Sequence, residues 1–203
     1  NGRAETVAAL KGESSTQGGI ITNSSATPNT LTVGNSVPTN TTFAGVIEQG
    51  AGVLNLAKTG TSVQTLTGAN TYNGSTTVTG GGLIINGSLA NTAVTVQTGA
   101  YLGGTGTIGV ANNAMTVNSG GSVTVNAGGA IDLRDSAIGV LTIQGNAGTT
   151  ALTMAAGSAL TLDTNASAVD SILVSNNAKA SVASALTVNL NGIGGSLANG
   201  VYN

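Results

Sequence analysis

Apolar and polar residues alternate along most of this chain, and a threonine usually holds the polar position. The unit recurs as Leu31-Thr32-Val33, Val94-Thr95-Val96, Met115-Thr116-Val117 and Val123-Thr124-Val125. It returns as Leu141-Thr142-Ile143, Leu152-Thr153-Met154, Leu160-Thr161-Leu162 and Leu186-Thr187-Val188, with Leu54-Asn55-Leu56 and Ile131-Asp132-Leu133 as variants. Alternation at period two, in threonine-rich and β-branched segments, predicts short strands with one buried face. Gly, Asn and Ser fill the gaps, often as Asn-Gly (Asn73-Gly74, Asn86-Gly87, Asn191-Gly192, Asn199-Gly200), and these are turn formers. The best helix candidate, Glu5 to Leu10, is short.

The strands come at close intervals. From Val94 the triplets start at 94, 115, 123, 131, 141, 152 and 160. Ala93 to Gly99 overlays Ala114 to Gly120 at an offset of 21, and Leu152 to Leu162 overlays Met115 to Val125 at an offset of 37. Self-similarity with frequent turns predicts a solenoid. A β-sandwich uses similar spacing but favours a few large core side chains. Aromatics number four here, Phe43, Tyr72, Tyr101 and Tyr202. A parallel β-helix needs only small aliphatics, which favours it. Coils of roughly 20–25 residues predict about nine coils, and a rod ~40–45 Å long at the interstrand spacing. Residues 1–42, which hold Pro28 and Pro38, read as first coils with longer loops, and 43–203 as the β-helix proper.

Composition then removes several functions. The 203 residues include no His, no Cys and no Trp, and only 6% are charged, for a net charge of -2. Without His and Cys, a structural zinc site and Ser-His-Asp or Cys-His catalysis are excluded. Five cations cannot neutralise a run of phosphates, so nucleic acid is not an expected partner. No apolar run is long enough to span a membrane as a helix. No basic region followed by an apolar stretch marks a signal peptide. The chain begins and ends mid-pattern, as a mature product or a fragment would.

The remaining candidate chemistry is thin. Asp132 and Asp135, with Arg134 between them, form the one close acidic pair. Asp132 should point outward, because Ile131 and Leu133 point in, and Asp135 should sit in the following turn. Asp163 and Asp170 read as turn residues around an Asn-Ala-Ser loop. No calcium-loop spacing occurs. The glycine runs at Gly80-Gly81-Gly82 and Gly103-Gly104 lack the helix and Lys-Ser/Thr pair of a phosphate loop. Catalytic, cofactor and metal residues are therefore predicted to be absent.

Residues 53–87, VLNLAKTGTSVQTLTGANTYNGSTTVTGGGLIING, carry one more signal. They closely resemble the autotransporter-associated β-strand repeat, also called the passenger-associated transport repeat. The matching residues are Leu56, Lys58, Gly60, Leu66, Gly68, Asn70, Thr71, Tyr72, Gly74, Thr76, Thr77 and Val78. Looser similarity runs on through Ser88 to Ile108 and to the closing LTVNLNG and LANGVYN strings. The resemblance implies a right-handed parallel β-helix, secreted to the bacterial cell surface or beyond, and a non-enzymatic stalk or adhesin. The membrane β-barrel that follows such passengers is not in this sequence.

Physically, Asn70 and Asn73-Gly74 suit tight corners with left-handed backbone angles. Tyr72 is expected to cover a corner with its hydroxyl in water, and Lys58 to lie along a face with its ammonium in solvent. Neither end carries an amphipathic capping helix, and charge is sparse at both. Unpaired ends of this kind predict head-to-tail association with copies of the same chain, as an extracellular filament or surface layer. A monomeric passenger stalk that mediates attachment, with surface glycans as partners, is the alternative. A glycan-active enzyme is a third class and needs two carboxylates converging in a groove.

Overall fold

The computed structural model describes residues 4–12, 19–34, 39–90, 92–109, 120–165 and 167–193. The expected triplet Met115-Thr116-Val117 and the closing LANGVYN string lie outside these residues. Among the described residues every element is a strand, in coils of up to three. The first coil has β1 (Glu5–Val7) and β2 (Ile20–Thr22), and the second β3 (Asn29–Val33), β4 (Thr41–Phe43) and β5 (Val46–Glu48). The third has β6 (Leu54–Lys58), β7 (Val63–Leu66) and β8 (Ala69–Asn70), and the fourth β9 (Thr76–Val78), β10 (Gly81–Ile85) and β11 (Ser88–Leu89). The fifth has β12 (Ala93–Val96), β13 (Ala100–Gly103) and β14 (Thr107–Ile108), and the sixth β15 (Ser122–Val125), β16 (Ala130–Asp132) and β17 (Val140–Gln144). The seventh has β18 (Thr150–Met154), β19 (Ala159–Thr164) and β20 (Ser171–Ser175), and β21 (Lys179–Val182) and β22 (Thr187–Gly192) follow.

Strands in equivalent positions stack as parallel sheets, the arrangement of a parallel β-helix. The first face is an eight-stranded sheet, β1-β3-β6-β9-β12-β15-β18-β21. The second face holds seven strands, from β4 by way of β7, β10, β13, β16 and β19 to β22. The third holds five, β8-β11-β14-β17-β20, while β2 and β5 pair separately. Strands from residues 1–42 stack in the first two of these sheets.

Threonine takes the outward position as the alternation requires. Thr95 pairs with Thr77 and Thr124 on the outside, while Val94, Val96, Val123 and Val125 are buried. Inside, like residues stack on like. One ladder on the first face runs Val33, Lys58, Val78, Val96, Val125 and Met154. One on the second face runs Leu83, Leu102, Ile131 and Leu160. Each buried aliphatic contributes about 1.5–3 kcal/mol, so a core whose buried aromatics among the described residues are Phe43 and Tyr72 is sufficient when it repeats along the rod.

Two expectations need correction. The Glu5 to Leu10 stretch is not helical, because Glu5–Val7 forms β1 on Leu31–Val33. On the first face Val94 stacks on Val123 and Val123 on Leu152, a longer coil than the expected roughly 20–25 residues. The coils are also uneven in length. The register passes from Glu5 to Leu31, Leu56, Thr76 and Val94 along the first face, and the intervals shorten towards Val94. They lengthen again afterwards, because the later corners are longer. Residues 86–87 separate β10 from β11, whereas 133–139 separate β16 from β17 and 165–170 separate β19 from β20. Among the described residues the eight strands of the first face span about 34 Å.

Candidate functional site

The residues that carry the repeat resemblance converge on the coil formed by β6, β7 and β8. Leu56, Leu66 and Val78 fill the core at 3%, 0% and 0% exposure. Between them, the same coil sends one polar side chain inward from each face: Lys58, Gln64 and Asn70, all buried. Each is satisfied by backbone. Asn70 Oδ1 accepts the Ile47 N–H of the coil below at 2.9 Å, and its Nδ2 donates to Ser88 O of the coil above at 3.1 Å and to Gly68 O at 3.0 Å. Gln64 pairs through both amide atoms with the Leu10 main chain, at 3.0 Å each way. Lys58 Nζ donates to Thr59 O at 2.6 Å and Gly80 O at 3.3 Å.

Two of these placements overturn the sequence reading. Lys58 is not in solvent: it is 1% exposed and stands in the aliphatic ladder between Val33 and Val78. Burial pushes its ammonium below the ordinary lysine range. Tyr72 does not wet its hydroxyl either. It is fully buried, and its Oη lies 2.6 Å from Thr76 Oγ1, which lies 2.9 Å from Thr92 Oγ1; Thr92 donates to Gly74 O at 2.7 Å. Burial pushes the Tyr72 phenol above its ordinary value despite the Thr76 bond.

The corner residues also act differently from the expectation. Among the motif glycines only Gly60 has a positive φ, 67°. At Gly68 a Cβ would lie 2.0 Å from Gly45 O, and at Gly74 2.2 Å from Leu54 O. Glycine is needed there because the corners of successive coils nearly touch. Thr71 donates its N–H to Ile47 O at 2.8 Å, and Thr77 faces outward between Ala57 and Thr95. The motif residues thus make the coil and leave no exposed constellation.

A second cluster lies on the outside of the second face. Here Asp132 points outward as expected, with Ile131 and Leu133 buried. It accepts Arg134 Nε at 2.8 Å, and its other oxygen takes Arg134 Nη2 in a bidentate ion pair. Asp135 opens the following turn and accepts Ala137 N–H at 2.9 Å. Asp163 and Asp170, expected as turn residues, are 0% and 2% exposed, Asp163 within β19, and they hold this turn from beneath. Asp163 Oδ2 accepts the N–H groups of Asp135 and Ser136 at 3.0 and 2.7 Å, and its Oδ1 accepts Asn191 Nδ2. Asp170 accepts Gly139 N–H and Asp163 N–H, both at 2.7 Å. Ser136 takes a positive φ of 68° in that turn.

The turn walls a groove of about 490 Å³ over the second face. Its apolar lining includes Val63, Ile84 and Tyr101, and its polar lining comes from Asn40, Asn86, Asp132, Arg134, Asp135 and Asn191. Register explains the hollow. Gly82 is the partner of Tyr101, and a Cβ on Gly82 would fall 2.3 Å from Tyr101 Cζ, so the ring lies along the sheet over the bare Cα. Gly103 is the partner of Ile84, whose Cδ1 occupies the space a Cβ would take. Partial burial, with the Asp132 carboxylate nearby, raises the Tyr101 phenol above its usual range. Sequence reasoning found Asp132, Arg134 and Asp135 but missed Tyr101, Ile84 and Gly82. Those positions come together only through the register that sets Gly82 against Tyr101 and Ile84 against Gly103.

Among the described residues no group of three or more His, Cys, Asp or Glu is placed to hold a metal ion, and no helix is long and apolar enough to cross a membrane. No family model matches the chain, and no solved structure matches it. It is 46% identical over 86 residues to the adhesin BmaC autotransporter of Brucella suis biovar 1 (strain 1330). That stretch is 41% of this chain, and the chain spans 2% of the length of that relative.

Proposed function

We propose that this chain is part of a secreted autotransporter-type passenger, a β-helical stalk presented at the bacterial surface and used for attachment. The observation that carries the reading is the 46% identity to a protein named as an autotransporter adhesin. The fold supports it, because stacked parallel coils bury an aliphatic interior and leave rows of threonine outside. The similarity to the passenger-associated transport repeat at residues 53–87 supports it further, since Lys58, Asn70, Tyr72 and Gly74 there fasten one coil to the next. A non-enzymatic role fits the acidic cluster. Both Asp132 oxygens are taken by Arg134, and Asp163 and Asp170 are spent on backbone N–H groups.

The chain, displayed on a non-adherent bacterium through a carrier barrel, is expected to raise attachment to host cells above that of an unrelated β-helix of similar length. Equal attachment by the two would end the reading.

A further inference from the structure

In the groove on the second face an aromatic ring, aliphatic side chains and six polar ones meet. Resting on the surface-attachment reading above, we infer that this groove binds an uncharged pyranose of a glycan, with the sugar ring laid against Tyr101.

Three features select that chemistry. The first is the ring. Gly82 lets Tyr101 lie down along the sheet, so an aromatic surface is offered beside Ile84 instead of projecting into water. The C–H face of a pyranose is apolar and flat, and an aromatic surface is the usual means of desolvating it. The second is the mixture of hydrogen-bonding groups. Asn40 and Asn86 each use the side-chain oxygen on a neighbouring backbone N–H, of Val63 and Thr105. Among the described residues no protein acceptor meets their Nδ2 groups, which remain donors. Asp135 keeps an acceptor oxygen after bonding Ala137. Sugar hydroxyls both donate and accept, and they match such a set. The third is charge. The groove's one cation, Arg134, is already paired in a bidentate contact with Asp132. Asp135 adds an uncompensated negative charge, so sialylated or sulfated sugars are disfavoured. A groove of this volume suits one or two sugar rings.

Asp163 and Asp170 give the groove its shape. They hold the turn that carries Arg134 and Asp135 by accepting its N–H groups from a buried position. A binding wall fixed in this way needs little ordering when a ligand arrives.

The test is saturation-transfer NMR on the whole chain with lactose, maltotriose and sialyllactose. A neutral sugar is expected to receive saturation from the Tyr101 ring protons. Tyr101→Ala is expected to weaken its binding about tenfold or more, because it removes the anchoring surface. Tyr101→Phe is expected to bind nearly as well. Gly82→Ala, which pushes the ring off its seat without removing it, is expected to weaken binding too. It also serves as the readout should Tyr101→Ala fail to fold. Binding of sialyllactose alone, binding unchanged by both Tyr101→Ala and Gly82→Ala, or no binding of the neutral sugars overturns the inference. Attachment of displayed chain to cells is measured in parallel. Attachment that survives Tyr101→Ala sinks the groove and spares the adhesin reading, whereas sugar binding without attachment does the reverse.

Discussion

The Asn70 side chain accepts the backbone N–H of Ile47, one coil below, at 2.9 Å. The same amide donates to Ser88 O, one coil above, so a single buried side chain spans three coils. An amide suits this place because it offers an acceptor on one side and two donors on the other.

Asn70→Asp tests that account with almost no change in volume. A carboxylate keeps the bond to Ile47 N–H but cannot donate to Gly68 O or Ser88 O. The Ser88 carbonyl loses its partner, and the Gly68 carbonyl, which keeps the Ser88 N–H, faces a negative charge. A loss of about 3 kcal/mol is expected in urea unfolding, the upper end of the cost of one unpaired group beside a buried charge. A negligible loss would show that the site takes up water or shifts at little cost.

Tyr72 gives a prediction whose sign depends on pH. Its phenol titrates higher in the folded chain than the ordinary value of 10.0. Above about pH 10 the unfolded chain loses this proton first and binds fewer protons, so stability falls as pH rises. The contribution is complete below about pH 10 and is lost through the folded value. Tyr72→Phe is expected to flatten part of that alkaline fall, the Tyr101 phenol supplying another part. At neutral pH it is expected to cost about 1–2 kcal/mol, since the Thr76 hydroxyl loses a buried partner. Midpoints measured at about pH 8 and about pH 11 for both proteins, on either side of the ordinary phenol value, decide the matter.

Asp170 and the 133–139 turn supply a third prediction. Asp170→Ala leaves the Gly139 and Asp163 N–H groups without acceptors. Hydrogen exchange at Asp135, Ser136 and Gly139 is expected to speed up more than exchange on β10 and β13, because the turn loosens before the coil does. Exchange that rises equally at all these sites would mean that Asp170 holds the whole coil together.

Much of the fold can be read from the chain, for one reason. Alternation at period two records which side chains point inward, and Thr95 and Thr124 obey it. Register is harder to read. The distance along the chain from one coil to the next follows from corner lengths, and those depend on close approaches such as Gly68 to Gly45 O. The same limit hid the groove. Asp132, Arg134 and Asp135 are neighbours in the chain, but Tyr101 and Gly82 meet them only after the coils stack. Lys58 and Tyr72 misled because charge and a hydroxyl ordinarily seek water. Here the carbonyls of Thr59 and Gly80 and the hydroxyl of Thr76 take its place.

Lys58 makes the opposite pH prediction to Tyr72. Burial lowers its titration below the ordinary 10.5. Between the lowered value and about 10.4 the unfolded chain holds more protons than the folded one. Stability therefore rises with pH through that window. Lys58→Met keeps an unbranched side chain in the ladder between Val33 and Val78 but removes the titrating group. Its stability at neutral pH reflects two effects of opposite sign. A buried charge disappears, and the Thr59 and Gly80 carbonyls lose a donor. The slope with pH separates them, because only the charge titrates. As pH rises towards the ordinary lysine value of 10.5, the parent chain should gain stability relative to Lys58→Met, as read from urea midpoints at matched pH. Parallel slopes in the two proteins would mean that the ammonium reaches water in the folded state, and the polar layer at β6, β7 and β8 would then be open to solvent at the Lys58 corner.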